Sequence, residues 1–318
     1  SDLYIGGAWV PTTSTDVIDV VNPATEQVIA TVPAASTDDA DAAVLAARAA
    51  FPAWSQLPID ERVDYVERIA AAMSERAEDI AATVSAEQGM PMANARRVQA
   101  GLPITVMQSY VAIGREYANA EPGRIGHSIV VEEPIGVCTF ITPWNYPLHQ
   151  IIGKVAPALV AGCTMVLKPS EESPLNAMVF AEIMHEAGFP AGVFNLVNGD
   201  GFGVGTALTG HKDVDMVSFT GSTRAGIAIS KNAAETLKKV HLELGGKGAN
   251  LIFADADDKA VKRGVLHLMN NTGQSCNAPS RMMVQAEIYD KAVEIAAEVA
   301  AGITVGSAHE AGKHIGPV

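Results

Sequence analysis

Apolar and polar positions along the chain follow two rhythms. Over residues 36–117 the apolar positions recur every three to four residues, the spacing of helices that each bury one face. Beyond Gly136, short apolar runs alternate with helical stretches, the spacing of strands each followed by a helix. Ahead of both, residues 3–10 predict two short strands around Gly6-Gly7, and Asn22-Pro23-Ala24-Thr25 predicts a turn before a strand over 27–32. Ser36-Thr37-Asp38-Asp39 caps an alanine-rich helix over 40–51. Longer amphipathic helices are predicted over 59–88 and 92–117.

Residues 119–135, punctuated by Gly and Pro, break the helical rhythm and read as a strand or hairpin. They are either a surface excursion or an arm that pairs with another subunit. From Gly136 onward, strands are predicted over 137–142, 164–167, 193–197, 214–219 and 240–244. Helices over 149–160, 174–187, 204–208 and 225–237 separate them. The alternation predicts an α/β fold, a mainly parallel sheet covered on both faces, with ligands beyond the carboxyl ends of its strands. A second alternating unit has strands over 249–253 and 281–285 and helices over 259–271 and 288–301, with Cys276 in the turn after the first helix. The chain thus reads as a helical part up to 118, an excursion at 119–135, an alternating part over 136–244 and a second unit from 245 to 318.

Length and composition narrow the classes. A chain of 318 residues exceeds one compact core, and 48% apolar residues suffice to fill two. A net charge of −14 argues against nucleic acid or an anionic membrane as partner. Cys138, Cys163 and Cys276 are widely spaced, with no Cys-x-x-Cys pair, so neither a disulfide framework nor a metal site is expected, and a reducing cytoplasm fits best. No apolar run approaches the ~18 residues of a membrane span, and no leader-like N-terminus is present; the expectation is a soluble, untargeted protein.

Candidate chemistry gathers at the turns. Cys276, among turn-forming and polar residues, and Glu243, on a separate element, suit covalent attack on a carbonyl followed by hydrolysis; a cysteine alone is as readily a small core residue. The turn Phe219-Thr220-Gly221-Ser222-Thr223 joins a strand to a helix, where backbone N–H groups can hold a pyrophosphate, or it is plain architecture. Gly199-Asp200-Gly201-Phe202-Gly203-Val204-Gly205 is a second glycine-rich turn. Lys168 and Glu171 follow another strand, placed either to bind ribose hydroxyls or to open the next helix. Asn145, in Pro143-Trp144-Asn145-Tyr146-Pro147, is either an oxyanion donor or a turn residue.

The segments PWNYP, KPSE, FTGST, ELGGK and GQSCNAPSR, in this order and spacing, resemble the aldehyde dehydrogenase superfamily, and the resemblance runs from the N-terminal IGGAWV across essentially the whole chain. It implies a Rossmann-like, parallel-sheet NAD-binding domain over 1–118 and 136–244, a small β arm for oligomerisation at 119–135, and a partial α/β catalytic domain over 245–318. It implies NAD(P)-dependent oxidation of an aldehyde to a carboxylic acid by the hydrolytic branch. Cys276 would form a thiohemiacetal and then a thioester, Asn145 and the Cys276 N–H would hold the oxyanion, and Glu243 would be the base for the hydrolytic water. Lys154 would serve proton relay near that base, or would be a solvated helical lysine. Thr142, Pro143, Trp144, Lys168, Ser170, Glu171, Gly201, Gly205, Phe219, Thr220, Gly221, Ser222, Leu244 and Gly245 would surround the cofactor. A free thiol ionises near pH 8.5 or so; because Cys276 follows a helix, help would come from Glu243 through water or from the nicotinamide ring.

A carboxylate at Glu171 would repel a 2′-phosphate, favouring NAD over NADP. Glu243 separates this chain from the CoA-acylating branch. Where the family often carries a large aromatic residue, this chain has Gly153, which with Tyr146 and Gln150 leaves room for a bulky or aromatic aldehyde. A homodimer or homotetramer is expected. The family's chain continues beyond Gly316-Pro317, through a Glu-x-Phe-Gly-Pro segment, the rest of the catalytic domain and a last oligomerisation strand; a protein of these residues alone is expected to bind NAD poorly and turn over slowly or not at all. The competing classes are a non-catalytic relative with a binding or structural role and a cofactor-free thiol hydrolase.

Overall fold

A computed structural model describes residues 2–121, 123–308, 310, 312 and 314–317. Two N-terminal hairpins, β1 (Leu3–Ile5) with β2 (Ala8–Val10) and β3 (Val17–Asn22) with β4 (Gln27–Pro33), precede the helices. These are α1 (Thr37–Ser55), α2 (Ile59–Glu75), α3 (Ala77–Gln88), α4 (Met92–Asn94), a π-helical stretch Ala95–Gly101, and α5 (Leu102–Ala118). A small hairpin, β5 (Gly123–Ile125) with β6 (Ser128–Val130), stands off from the body, exposed at every strand residue. It falls within the expected arm, of which Pro122 lies outside the described residues.

The alternating part follows: β7 (Val137–Ile141), α6 (Pro147–Ala161), β8 (Thr164–Lys168), α7 (Leu175–Glu186), β9 (Phe194–Leu196), α8 (Val204–Gly210), β10 (Met216–Gly221), α9 (Thr223–Ala234) and β11 (Lys239–Leu244). The last unit holds β12 (Ala249–Ile252), α10 (Ala260–Met269), β13 (Arg281–Val284) and α11 (Tyr289–Ala301), with β12 and β13 paired in parallel. Val318 lies outside the described residues.

The main sheet runs β11-β10-β7-β8-β9-β1-β2. The five strands from β11 to β9 are parallel, and the N-terminal hairpin closes the far edge antiparallel. Every residue of β7 and β8 is buried, as expected of central parallel strands covered on both faces. Alternation splits their side chains: Val137, Val166 and Val217 pack with Ala43, Val44 and Leu208 of α1 and α8. Cys138, Phe140, Met165 and Leu167 pack with Leu148, Ile152 and Phe180 of α6 and α7. Each such apolar side chain contributes about 1.5–3 kcal/mol when fully buried.

The helix boundaries have local causes. Ser36 Oγ accepts from the Asp39 N–H at 3.1 Å while Asp39 Oδ2 accepts from the Ser36 N–H at 2.8 Å, a capping box that starts α1. α6 begins at Pro147, two residues before the predicted start, because proline's fixed φ and missing N–H suit a first turn. It closes on Gly162 at φ +91°, a left-handed cap that a Cβ would disfavour.

Two expectations change, and one strand is added. The helix predicted over 59–88 is two, broken at Arg76 (φ −99°, ψ 18°), whose guanidinium pairs with Asp79 at 2.6 Å and with Glu182 of α7 at 2.9 Å. The helix predicted over 92–117 is interrupted by the π-helical stretch. Residues 17–22 are a strand paired with β4, which short-range pattern alone did not reveal.

Candidate active site

Register brings the candidate residues to one edge. Ile141 at the end of β7 lies opposite both Lys168 of β8 and Phe219 of β10; Thr220 lies opposite Glu243, and Gly221 opposite Leu244. The turns after these strands therefore open side by side at the carboxyl edge, where an open parallel sheet binds its ligands.

The turn after β7 is fastened to the cysteine loop. Asn145 Nδ2 donates to the Gln274 carbonyl at 2.8 Å, and the Tyr146 hydroxyl meets Ser275 Oγ at 2.6 Å. The Asn145 carbonyl accepts from Asn271 Nδ2 at 2.9 Å and from Gln99 Nε2 at 3.2 Å. Cys276 follows directly and is exposed, and among the described residues its N–H has no hydrogen-bond partner. The approach is strained: Asn271 (φ 50°), Thr272 (φ 58°) and Gly273 (φ 75°) are consecutive left-handed residues. For a β-branched threonine that conformation costs of order 1–3 kcal/mol, and such strain persists where surrounding contacts enforce it. Here the buried Asn271 also accepts from Gln88 Nε2 at 3.0 Å, which clamps the turn.

Glu243 is exposed at the end of β11, and among the described residues no hydrogen bond or ion pair joins it to Cys276. Lys154 is 9% exposed, so it is not a solvated helical lysine. Its Nζ donates to Ser218 Oγ at 2.9 Å, and burial pushes its pKa down to about 8 against the opposing pull of Glu243. Lys154, Glu243, His241, His149, Gln150 and Gly153 line a cavity of about 560 Å³. A Cβ on Gly153 would meet nothing within 4 Å, so the cavity is open at that point. Tyr146 sits at the cysteine loop instead of lining this cavity.

Along the rest of the edge, Lys168 is 2% exposed, its Nζ donating to the carbonyls of Pro169 at 2.9 Å and Gly199 at 2.5 Å, with Glu171 Oε2 at 3.4 Å. Burial lowers its pKa, with Glu171 opposing. Thr142 Oγ1 is buried with no partner among the described residues. Pro143 is half-buried, and Trp144 is exposed beside Ser173 and Gln274. Ser170 Oγ accepts from the Glu172 N–H at 3.3 Å. Ser222 is the N-cap of α9, its Oγ accepting from the Ala225 N–H at 3.2 Å. The buried Phe219 ring lies over Gly221, so a Cβ there would force the ring to shift; the neighbouring Thr220 is buried. Gly201 and Gly245 have open space in place of a side chain, Leu244 is half-buried, and Gly205 donates to the Asp200 carbonyl at 3.0 Å.

Comparison with known proteins identifies the family. The aldehyde dehydrogenase family profile matches residues 9–318. The chain belongs to the aldehyde dehydrogenase family. It is 47% identical over 319 residues to a 3-succinoylsemialdehyde-pyridine dehydrogenase of a Pseudomonas species, a match covering 100% of this chain and 66% of that protein. The crystal structure of an aldehyde dehydrogenase from Bartonella henselae superposes with a TM-score of 0.97 at 49% identity, over 100% of this chain and 67% of that one. A mutant aldehyde dehydrogenase C from Pseudomonas syringae, in complex with NAD+ and octanal, superposes with a TM-score of 0.94 at 45% identity, over 97% and 63%. The chain thus spans about two thirds of the length of the relatives it matches. Among the described residues no helix is long and apolar enough to cross a membrane.

Several residues at this edge carry little or no signal in the sequence of this family member. His241 stands two residues before Glu243 on one strand, hence on the same face, a signal the period of two carries. Asn270-Asn271 ahead of Thr272-Gly273 is a composition that favours positive φ. Gln99 and Ser218 carry no local signal, since their roles arise from packing between distant segments.

Proposed function

We propose that this chain carries the nucleophile, the oxyanion donor and the hydrolytic base of an NAD-dependent aldehyde dehydrogenase. The observation that carries the proposal is the fastening of the Asn145 turn to the Cys276 loop, on the edge that also bears Glu243. In this reading the Cys276 thiolate attacks the aldehyde carbon, forming the S–C bond of a thiohemiacetal. The Cys276 N–H and the second N–H of the Asn145 amide stabilise its oxyanion, a type of interaction typically worth about 3–4 kcal/mol. NAD, when bound, supplies the acceptor for the hydride lost from that carbon. Cys276 then carries a thioester, and Glu243 takes a proton from the water that attacks it. The carboxylic acid leaves and the thiol is restored.

The edge fits the dinucleotide. The capped start of α9 offers backbone N–H groups to a pyrophosphate beside Gly221 and Ser222, and the Thr142 hydroxyl, without a partner among the described residues, and the open positions at Gly201 and Gly245 leave donors and space along it. Thr142, Pro143, Trp144, Phe219, Thr220, Leu244 and Gly245 would line the cofactor. Glu171 with Lys168 and Ser170 would hold the adenine ribose near Gly205, favouring NAD over NADP. The domain assignment follows: NAD-binding for 1–118 with 136–244, catalytic for 245–318. Exposed Ile125 and Val131 on and after the β5–β6 hairpin support a homodimer or homotetramer joined through it, and the unpaired cysteines suit a cytoplasmic protein. The space at Gly153 supports a bulky or aromatic aldehyde.

The test uses the natural full-length gene product with an aldehyde panel and NAD. NADH formation is expected, lost in Cys276→Ala, and reduced in Glu243→Gln to a single burst without turnover. Acid release without NADH would instead mark a thiol hydrolase, and silence across the panel a non-catalytic relative.

A further inference from the structure

The residues between Glu243 and Lys154 form a continuous polar chain. His241 and Glu243, two apart on β11, face the same side, with His241 Nε2 3.8 Å from Glu243 Oε1. Ser218 of β10 is registered directly opposite His241, and its Oγ lies 3.3 Å from His241 Nδ1. The same hydroxyl is 2.9 Å from Lys154 Nζ, which reaches it from α6. An imidazole can take a proton at one nitrogen while losing one from the other, so a ring touched at both is suited to pass protons. The interval to Glu243 is within reach of one bridging water.

We propose that His241 and Ser218 carry the proton of thioester hydrolysis from Glu243 to Lys154. The proposal rests on the reading of Glu243 as the hydrolytic base. Protonated Glu243 gives its proton to His241 Nε2. His241 gives the proton on Nδ1 to Ser218 Oγ, and Ser218 gives its own to the neutral amine of Lys154. The carboxylate is regenerated, His241 has exchanged tautomers, Ser218 is unchanged and Lys154 is an ammonium that discharges to water in the cavity. The depressed pKa of Lys154 makes its neutral form accessible near neutral pH. Besides Lys154 and Glu243, the titratable groups lining the cavity that His241 faces are Lys239, Glu133, His149, Cys138 and Cys163. His241 and Ser218 are positioning residues in this scheme, acting through Glu243.

The experiment measures acid release after the NADH burst in the natural full-length enzyme, as wild type, His241→Ala and Ser218→Ala. His241 is half-exposed, so its removal leaves space that free imidazole can enter. In His241→Ala we expect an unchanged burst, acid release slowed about tenfold, and recovery that rises with imidazole concentration. Ser218→Ala is expected to show the same slowing without recovery. Acid release at the wild-type rate in either variant overturns the relay, as does slowing in His241→Ala that imidazole does not relieve. Loss of the burst itself in His241→Ala also overturns it, because the residue would then serve an earlier step or the fold. Absence of any NADH from the wild type would sink the activity and the relay together, whereas a normal wild type beside a normal His241→Ala sinks the relay alone.

Discussion

Replacing Lys154 with methionine should change how stability depends on pH. Lys154 is 9% exposed, and burial lowers its pKa from 10.5 to about 8. At 1.36 kcal/mol per pKa unit, that fall corresponds to about 3 kcal/mol. Below pH 8 both folded and unfolded chains hold the proton, and the folded state bears the cost of a buried ammonium. Between about pH 8 and 10.5 the folded chain has released the proton and the unfolded chain still binds it. Stability therefore rises with pH across that window. Lys154→Met lacks the titration, so the wild-type advantage over the variant should grow by up to about 3 kcal/mol from pH 7 to 10.5. At pH 7 the variant should match or exceed the wild type, because removal of the buried charge offsets the loss of the Ser218 hydrogen bond, a bond to a charged group worth about 1.5–3 kcal/mol. Urea unfolding followed by tryptophan fluorescence at several pH values gives both curves, and groups that titrate alike in the two proteins cancel in the difference. A difference that stays constant from pH 7 to 10.5 would refute the reasoning.

Two further substitutions test the packing and the cavity. Glu87 is fully buried and accepts from the Leu175 N–H at 2.7 Å, the Asn176 N–H at 3.1 Å and Asn176 Nδ2 at 2.6 Å, so it holds the start of α7; Glu87→Ala orphans these donors and should cost about 3 kcal/mol or more, read by chemical denaturation. Burial raises the Glu87 pKa to about 7, so its ionisation should also make the fold less stable as pH rises from about 4.5 to 7. Gly153→Trp should fill the cavity beside Lys154, lowering kcat/KM for an aromatic aldehyde at least about tenfold relative to a short linear one. An unchanged ratio would dissociate this cavity from substrate choice, and a wild type that prefers acetaldehyde to aromatic or long-chain aldehydes would remove the case for a bulky substrate.

Much of the architecture was legible because it is local. The runs at 137–142 and 164–167 are apolar throughout and are the central strands β7 and β8; Ser36 and Asp39 announce the start of α1. Strand β3 was missed because Val17–Asn22 exposes much of its apolar surface and is defined by pairing with β4. The break at Arg76 was missed because the apolar period runs through it, and the partner that holds Arg76, Glu182, is on a distant helix.

By itself the sequence determined the alternation of strands and helices, and hence which turns fall after a parallel strand. Periodicity and turn chemistry belong to consecutive residues, so Asn145, Lys168, Gly221 and Glu243 could be assigned to one sheet edge before any strand order was known. Tertiary structure decided what those residues touch. Asn145 meets the Gln274 carbonyl across 129 residues of chain, Tyr4 joins the N-terminal hairpin to Leu196 at the far edge, and Lys154 is buried against Ser218 because α6 packs on that face of the sheet. Such contacts depend on strand order and helix packing, which no local window of sequence contains. The chain Lys154–Ser218–His241–Glu243 has the same origin: one pair comes from the period of a strand, and the rest from the register and packing that bring three elements together.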